Sequence, residues 1–315
     1  MNQNKPFLSI CIPTNGATKW VVPTLRSVYE QGVDISLFDV IITDNGENSD
    51  LEKALAEFNQ PNLSYIHTND KGFLNLITSL KLGNGCYHKM LNHRSILEPE
   101  ALQNWIDIVK KYKDEKPVIY SSNGTIRGDK IIECDNLDAF VYHLNYLCTW
   151  SGGIGIWEDD IKNMTGFEYN EMFPNASLLF EHRQQSRYVI YNKKFERQQE
   201  GKGKGCYNLF HTFAVVFPDM LKDLQRRDRI TQQTFDKVMK DLYGCLQNFY
   251  MDFVLRNPDK SFDLSGNHKS LTTYYSELDY WRMMYHCYKQ YYYTEKFRDW
   301  LHQQKMKILG QKAKV

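Results

Sequence analysis

The sequence predicts an α/β protein in which a mostly parallel sheet has helices on both faces and is followed by an α-helical region. Short β-rich runs alternate with helical patterns through roughly the first 120 residues, as in the strand–helix–strand units that build parallel sheets. A glycine-rich break follows at residues 151–153, and strand signals disappear beyond Pro218. We therefore expect one larger domain over residues 1–217 and a smaller helical domain over 218–315.

Four short β-rich runs, the first of them a compact apolar one, predict the strands of the sheet. They lie at residues 8–12, 39–43, 63–67 and 87–91. The first run ends at Pro13, because proline cannot continue a hydrogen-bonded ladder. Segments 22–31, 51–59 and 73–82 carry apolar residues at helical spacing, and a fourth helix at 99–113 begins with proline in its first turn.

Charge, cysteine content and hydropathy exclude several classes of protein. The formal net charge is +1, from 39 basic and 38 acidic residues, so no bulk field favours nucleic acid as a partner. The seven cysteines show no zinc-ligand spacing and indicate reduced thiols in a cytoplasm. The N-terminal apolar run is too short for a signal peptide, and no run approaches the roughly 20 residues that cross a bilayer. We expect a soluble protein, or at most a peripheral one.

Ligands of such sheets bind beyond the carboxyl ends of the strands, so the residues there are the first candidates. Pro13-Thr14-Asn15-Gly16 follows the first strand, and Asp44-Asn45-Gly46 follows the second. An aspartate in this place can accept a hydrogen bond from the imide of a uracil-type base. Each motif alone also fits an ordinary turn between strand and helix, in which Asp44 caps the loop.

Taken together, four segments resemble the opening of family 2-type inverting glycosyltransferases, which have the GT-A fold. The segments are 8–15, 40–46, 69–72 and 85–87. The resemblance covers residues 7–105, continues weakly to about residue 195 and is absent from the C-terminal third. It implies a Rossmann-like GT-A sheet and a bacterial enzyme of polysaccharide or glycoconjugate biosynthesis. The implied reaction moves a sugar, with inversion, from a nucleoside diphosphate sugar to a glycan or glycolipid acceptor.

The resemblance also assigns roles to residues at the strand ends. Pro13, Thr14 and Asn15 would line the nucleoside pocket, and Asp44 would hold the base, which makes a uridine-linked donor the expected substrate. Asn45 and Lys71 would lie near the base or ribose.

One position departs from the family pattern. An Asp-x-Asp motif that binds a divalent metal normally follows the fourth strand, but this chain has Asn92-His93-Arg94 there. Mg²⁺ and Mn²⁺ prefer carboxylate oxygens, and an arginine repels a dication. We therefore disfavour a metal cofactor and expect metal-independent chemistry. A softer metal on His93 is disfavoured too, because that histidine lacks neighbouring ligands.

Our hypothesis is that Arg94 offsets the charge of the leaving diphosphate, with Asn92 and His93 beside the nucleotide. Lys202 and Lys204 lie in a glycine-rich loop that could close over the same phosphates. That loop fits a solvated surface turn equally well.

The acceptor side is less well defined. The segment Trp150-Ser151-Gly152-Gly153 matches a glycine-rich element that shapes the sugar and acceptor site in the family. The acidic pair expected after it is missing. Glu171 is our first choice for the general base, with Glu181 and Asp159 behind it. His182 and His211 are more simply structural histidines.

The C-terminal third is very rich in tyrosine, tryptophan and methionine between residues 274 and 300. Three interpretations stay open: a core between helices, a homo-oligomer interface, or contact with a membrane surface near a lipid-linked acceptor. The basic tail at 305–314 suits an anionic inner-membrane surface as well as a frayed helix end.

The sequence thus predicts a glycosyltransferase, with two alternatives. One is a catalytically silent homologue that binds nucleotide sugar or serves as a second subunit of another glycosyltransferase. The other is a nucleotidyltransferase, which would need acidic metal ligands and a basic phosphate loop after the first strand. Residues 13–16 supply neither.

Overall fold

The computed structural model describes residues 5–47, 49–199, 205–256 and 261–312. It divides into two compact units. The first comprises residues 1–200 and 228–235, and the second comprises 201–227 and 236–315. The domain boundary predicted after residue 217 stays a prediction, because a compact unit reports packing and not independent folding.

The described part of the first unit is built on a five-stranded sheet in the order β3-β2-β1-β4-β8. Its strands are β1 Leu8–Thr14, β2 Phe38–Asp44, β3 Leu63–His67, β4 Tyr87–Met90 and β8 Gly155–Trp157. The first four run parallel and β8 is antiparallel to β4. All four predicted strands are confirmed, with ends that differ by at most two residues.

Smaller sheets complete this unit. Strands β5 Ser95–Leu97 and β10 Glu196–Gln198 pair antiparallel, and β6 Val118–Ser121, β7 Ile131–Cys134 and β9 Tyr188–Tyr191 form a sheet in the order β6-β9-β7. The helices are α1 Thr18–Tyr29, α2 Asp50–Ala56, α3 Asn75–Lys81, α4 Ala101–Tyr112, α5 Leu137–Leu144 and α6 Pro174–Glu181. The sequence analysis did not identify β5 to β10, because runs of three or four residues carry little periodicity.

The alternating direction of the side chains along β1 explains why helices pack on both faces of the sheet. Leu8, Ile10 and Ile12 are buried in a core shared with α1, α2 and α4, while Cys11 faces Ser79 of α3 on the other side. Successive side chains of a strand point to opposite faces, so helices cover both faces of the sheet. The α/β class and its parallel-rich sheet are confirmed.

The described residues of the second unit form helices joined by short loops. The unit contains α7 Leu209–His211, α8 Phe217–Arg226, most of α9 Gln232–Phe249, α10 Asn267–Leu271, α11 Glu277–Lys289 and α12 Phe297–Lys312. Turns of π-helix at Thr212–Val216, Tyr250–Arg256 and Gln290–Lys296 interrupt these segments. Within the described ranges, no helix combines the length and apolar character that crossing a membrane requires.

Candidate functional site

The parallel register brings the polar ends of β1 and β2 together. Thr14 stands opposite Asp44, and the backbone amide of Asn45 donates a hydrogen bond of 3.1 Å to the Thr14 carbonyl. The loops then touch so closely that a Cβ on Gly46 would lie 2.5 Å from the Asn15 carbonyl oxygen. Glycine is required at residue 46 for that reason, and the two predicted strand-end motifs form one surface.

Asp44 is fully buried and both of its carboxylate oxygens accept hydrogen bonds from the chain. Oδ1 accepts from the Gly46 amide at 2.8 Å, and Oδ2 accepts from the Tyr65 hydroxyl at 3.1 Å. Burial, together with this bond to Asp44, raises the pKa of Tyr65 to about 12. Asp44 therefore fixes the turn, and its side chain has no exposed surface in this structure. Its contact with a base stays a prediction.

Asn75 is a structural element that the sequence analysis missed. It is buried at the start of α3, where its side-chain amide donates to the carbonyls of Thr14 at 3.0 Å and Thr43 at 2.9 Å. Its own oxygen accepts from the Thr68 hydroxyl at 3.2 Å. Asn75 thus ties the ends of three strands. A lone asparagine within the apolar segment 73–80 was the available signal.

The loop after β3 joins the same edge. The side-chain amide of Asn45 donates to the carbonyls of Asp70 and Gly72, at 2.8 and 3.0 Å, which places Lys71 beside it. The exposed ammonium of Lys71 contacts both carboxylate oxygens of Glu171 at 2.7 Å. Two residues predicted for separate roles, a nucleoside contact and a general base, therefore lie together as an ion pair.

The segment after β4 is held against the end of β1. A ring nitrogen of His93 lies 3.3 Å from the Pro13 carbonyl, and the Thr24 hydroxyl donates to the His93 carbonyl at 2.8 Å. Burial and the charge of Arg94 lower the pKa of His93 to about 4, so the imidazole is neutral at pH 7. Asn92 accepts from the Arg94 amide at 2.9 Å.

The Arg94 guanidinium stacks on Trp20. Its central carbon lies 4.7 Å from the ring centroid, which is a cation–π distance. The backbone amide of Gln199 donates to the Arg94 carbonyl at 2.8 Å. Stacking fixes the plane of the guanidinium, which is the geometry that bidentate phosphate contacts use.

The donor set does not fit a hard divalent metal. No group of three His, Cys, Asp or Glu side chains in the described residues could hold one. The positions that correspond to Asp-x-Asp carry the amide of Asn92, the neutral imidazole of His93 and the cation of Arg94. Because Mg²⁺ and Mn²⁺ select carboxylate oxygens, we derive no catalytic step through a metal.

The glycine-rich segment is packed and not an open loop. A Cβ on Gly153 would lie 2.1 Å from the ring of Tyr120, and the Tyr120 hydroxyl donates to the Leu147 carbonyl at 2.6 Å. Gly152 is equally confined, by the ring of Trp150 and by Glu196. The glycines allow this close approach, while Ser151 and Trp150 are partly exposed.

Two buried titratable side chains beneath Gly152, those of Lys89 and Glu196, were also missed. Lys89 of β4 donates to the Met90 carbonyl at 2.7 Å and to the Gly152 carbonyl, and Glu196 lines the same small cavity. Burial lowers the pKa of Lys89 to about 8 and raises the pKa of Glu196. A lysine inside a central strand is rare, and that rarity was the usable sequence signal.

Other predicted residues lie elsewhere. Glu181 is at the far end of α6 from Glu171 and forms a 3.8 Å ion pair with Arg229. Asp159 pairs with Lys116. The ring of His182 is buried and bonded to the Leu178 carbonyl at 2.7 Å, while His211 is exposed. Lys202 and Lys204 fall outside the described residues.

Comparison with known proteins supports the fold. No protein-family model matches the chain. Crystal structures of S. aureus TarS residues 1–349 are similar to it. The structure without a named ligand has a TM-score of 0.52 and 14% identity over 80% of this chain and 73% of TarS 1–349. The complex with UDP-GlcNAc has a TM-score of 0.53 and 14% identity over 85% and 79%. TarS has also been solved with UDP, with a TM-score of 0.51 and 15% identity over 80% and 73%.

Identities this low establish the fold alone. TarS is of GT-A type, so the GT-A fold predicted from the sequence is confirmed.

A curated protein of Methanococcus voltae is 26% identical over 187 residues, 56% of each chain. Its name is dolichyl N-acetyl-α-D-glucosaminyl phosphate 3-β-D-2,3-diacetamido-2,3-dideoxy-β-D-glucuronosyltransferase. The chain spans about half the length of this relative.

Proposed function

We propose that this protein is a glycosyltransferase that uses a nucleoside diphosphate sugar, with uridine as the nucleoside. The observation that carries the proposal is the joining of three strand-end loops, at residues 13–15, 44–46 and 92–94, along one edge of a GT-A sheet. Similar folds hold UDP and UDP-GlcNAc in the TarS complexes, and the relative from Methanococcus voltae is a named glycosyltransferase.

The proposed reaction is a displacement with inversion. An acceptor oxygen forms a bond to the anomeric carbon while the bond from that carbon to the diphosphate oxygen breaks. The diphosphate leaves with the bonding pair, and its developing charge is stabilised by the guanidinium of Arg94 in place of a metal. That guanidinium is permanently charged and is oriented by Trp20.

Glu171 takes the proton of the acceptor hydroxyl in this scheme. Its carboxylate is ion-paired with Lys71 in the structure, so a free base requires that Lys71 move away. A bound nucleotide offers Lys71 anionic phosphate oxygens as alternative partners, and exposed ion pairs are weak enough to exchange.

The acceptor class we propose is a lipid-linked or growing glycan. The name of the Methanococcus voltae protein describes transfer to a sugar on dolichyl phosphate, which supports a lipid-linked acceptor. Action in the cytoplasm, next to the inner membrane surface, remains a prediction from the sequence.

A thermal-shift titration tests the donor and the role of Arg94 together. UDP, UDP-GlcNAc and matched guanosine and cytidine compounds are added with EDTA or with Mn²⁺, because a ligand of the folded state raises the melting temperature. We expect a shift with uridine compounds that survives EDTA and is lost in R94A. In N92D/R94D, which restores two carboxylates, the shift should require Mn²⁺. A wild-type shift that requires Mn²⁺ would remove the metal-free mechanism, and no shift with any nucleotide would remove the proposal.

The alternative function is a catalytically silent subunit that binds nucleotide sugar. The pairing of Glu171 with Lys71 favours it, because both carboxylate oxygens are occupied by the ammonium and not by an acceptor hydroxyl. Release of UDP from UDP-sugars in the presence of lipid-linked acceptors separates the two functions. Binding without release under any acceptor, with E171Q behaving like the wild type, would establish the silent subunit.

A further inference from the structure

Helix α11 has two apolar faces. Tyr280, Met283, Met284 and Cys287 form the first, which is buried within the second unit. This part of the aromatic-rich segment is therefore core, as one of the three sequence-based interpretations predicted. The second face is exposed and continues into α12.

We call the exposed face the aromatic stripe. Its members are large apolar side chains that are each 43–69% exposed: Leu278, Trp281, Tyr285, Tyr288, Tyr292, Phe297, Trp300 and Leu301. The first five follow a spacing of three and four residues, which keeps them on one helix face. The step of five from Tyr292 to Phe297 crosses the π-helical turn at Gln290–Lys296, where a wider repeat is needed to stay on that face.

Ring contacts confirm that neighbours along the stripe share a face. The rings of Tyr288 and Tyr292 are parallel within 4°, with centroids 6.0 Å apart. Phe297 and Trp300 stack at 5.8 Å. With aromatic side chains of about 200 Å² each, half-exposure of the six aromatic members alone leaves about 600 Å² of mainly apolar surface, the upper end of the range for the largest patch on a typical monomer.

Positive charge accompanies the stripe. Residues 278–307 contain six lysine or arginine residues and three acidic residues, a net formal charge of +3. Lys289 lies 5.9 Å from the ring centroid of Tyr285, and Lys296 lies 5.1 Å from that of Tyr291. Glu295, one of the three acids, is already paired with Arg256 at 3.0 Å.

We propose that the aromatic stripe binds the surface of an anionic lipid bilayer, with α11 and α12 lying along it. Tyrosine and tryptophan prefer the headgroup level, where an apolar ring and a polar tip are both satisfied. Flanking lysine and arginine residues add attraction to anionic headgroups. A second copy of the chain suits the stripe less well, because two helices of the same net positive charge would lie side by side. The inference does not rest on the proposed enzyme activity.

Vesicle co-sedimentation of the full chain tests this proposal. The vesicles are phosphatidylcholine alone or a 3:1 mixture with phosphatidylglycerol. We expect binding to the anionic vesicles, at least about tenfold weaker binding to the neutral ones, and weakening by salt.

Two variants address the two components of binding. W281S/W300S removes two rings, and K289E/R298E reverses two charges. Each should weaken binding about tenfold or more. I131S and K113E make matched changes at exposed positions of the first unit and should bind like the wild type. Far-UV circular dichroism and melting curves establish that each variant is folded.

Three outcomes would overturn the proposal. The first is wild-type protein that stays in the supernatant with anionic vesicles. The second is equal binding by W281S/W300S and I131S. The third is a concentration-dependent dimer, measured by light scattering, that W281S/W300S abolishes while lipid binding is absent, because the stripe would then be occupied by a second copy.

Discussion

The buried lysine beneath the glycine-rich segment makes a quantitative prediction about stability. Lys89 is 5% exposed, and burial lowers its pKa from 10.5 to about 8. Between these values the folded protein has released a proton that the unfolded chain still holds. The free energy of unfolding therefore rises with pH in this window. Integrating that difference from pH 7.5 to 9.5 gives a gain of about 2 kcal/mol from this one group.

The perturbation is K89M, which keeps the length of the side chain and removes the titrating group. Urea unfolding at pH 7.5, 8.5 and 9.5 gives the free energy of unfolding for the wild type and the variant. The difference, wild type minus K89M, should increase by about 2 kcal/mol across the series. K113M, a change at an exposed lysine, should track the wild type. Tryptophan fluorescence and circular dichroism are followed together, because coincident transitions are needed for a two-state treatment.

A constant difference between the wild type and K89M would refute this reasoning. It would mean that the Lys89 ammonium is solvated well enough to keep its proton, and hence that the contact with the Gly152 carbonyl is not made in a dry interior. Comparing the variants, rather than following the wild type alone, removes the contribution of the many tyrosines that begin to titrate above this range.

Three further predictions concern the packing and chemistry of the site. G153A should lower the free energy of unfolding by about 3 kcal/mol or more, because the new methyl group meets the ring of Tyr120 in β6. G244A lies at a helical position with open space and should raise that free energy by about 0.5–1 kcal/mol. Urea unfolding measures both. N75A leaves two buried carbonyls without their donor and should lower the free energy of unfolding by about 2 kcal/mol or more. Amide hydrogen exchange at the ends of β1 and β2 should become faster in this variant, and unchanged exchange would contradict the role of Asn75. E171Q should lower turnover about 10²–10⁴-fold while the thermal shift with UDP is kept. K71M removes the proposed phosphate contact, so it should weaken the UDP shift while turnover at saturating donor stays near that of the wild type; equal losses of turnover at saturating donor in both variants would indicate that the pair is only structural.

The sheet was predictable because its signals are local. The first two parallel strands are nearly continuous apolar runs that end in turns, and burial on both faces makes such runs conspicuous. The strand-end motifs were predictable for the same reason, since Pro13-Thr14-Asn15 and Asp44-Asn45-Gly46 each stand directly after a run. The short strands β5 to β10 pair over distances in sequence that no local pattern encodes.

The supports of the site were less predictable, because they depend on what lies opposite in space. Asn75 belongs to an apolar helix by its neighbours, yet its function is to satisfy carbonyls more than 30 residues away. Glu196 and Lys89 are separated by more than 100 residues. The ion pair of Lys71 with Glu171 likewise joins two loops that the sequence analysis assigned to different substrates. A residue's type can be anomalous in sequence, but only the fold supplies its partner.

The electrostatics of the strand-end edge favour the metal-independent site that we propose over a metal-dependent one. A dication would have to sit where His93 is kept neutral by burial and where Arg94 already supplies positive charge, so it would be repelled without gaining carboxylate ligands. A diphosphate at the same place meets the opposite balance, because Arg94 offers fixed donors and charge, while the neutral imidazole adds no repulsion. Stacking on Trp20 holds the guanidinium in place before any ligand arrives, which lowers the reorganisation that binding requires. This balance of charge supports the proposed anion-binding role of residues 92–94, and metal-free binding of the nucleotide stays a prediction for the thermal-shift titration with EDTA and Mn²⁺.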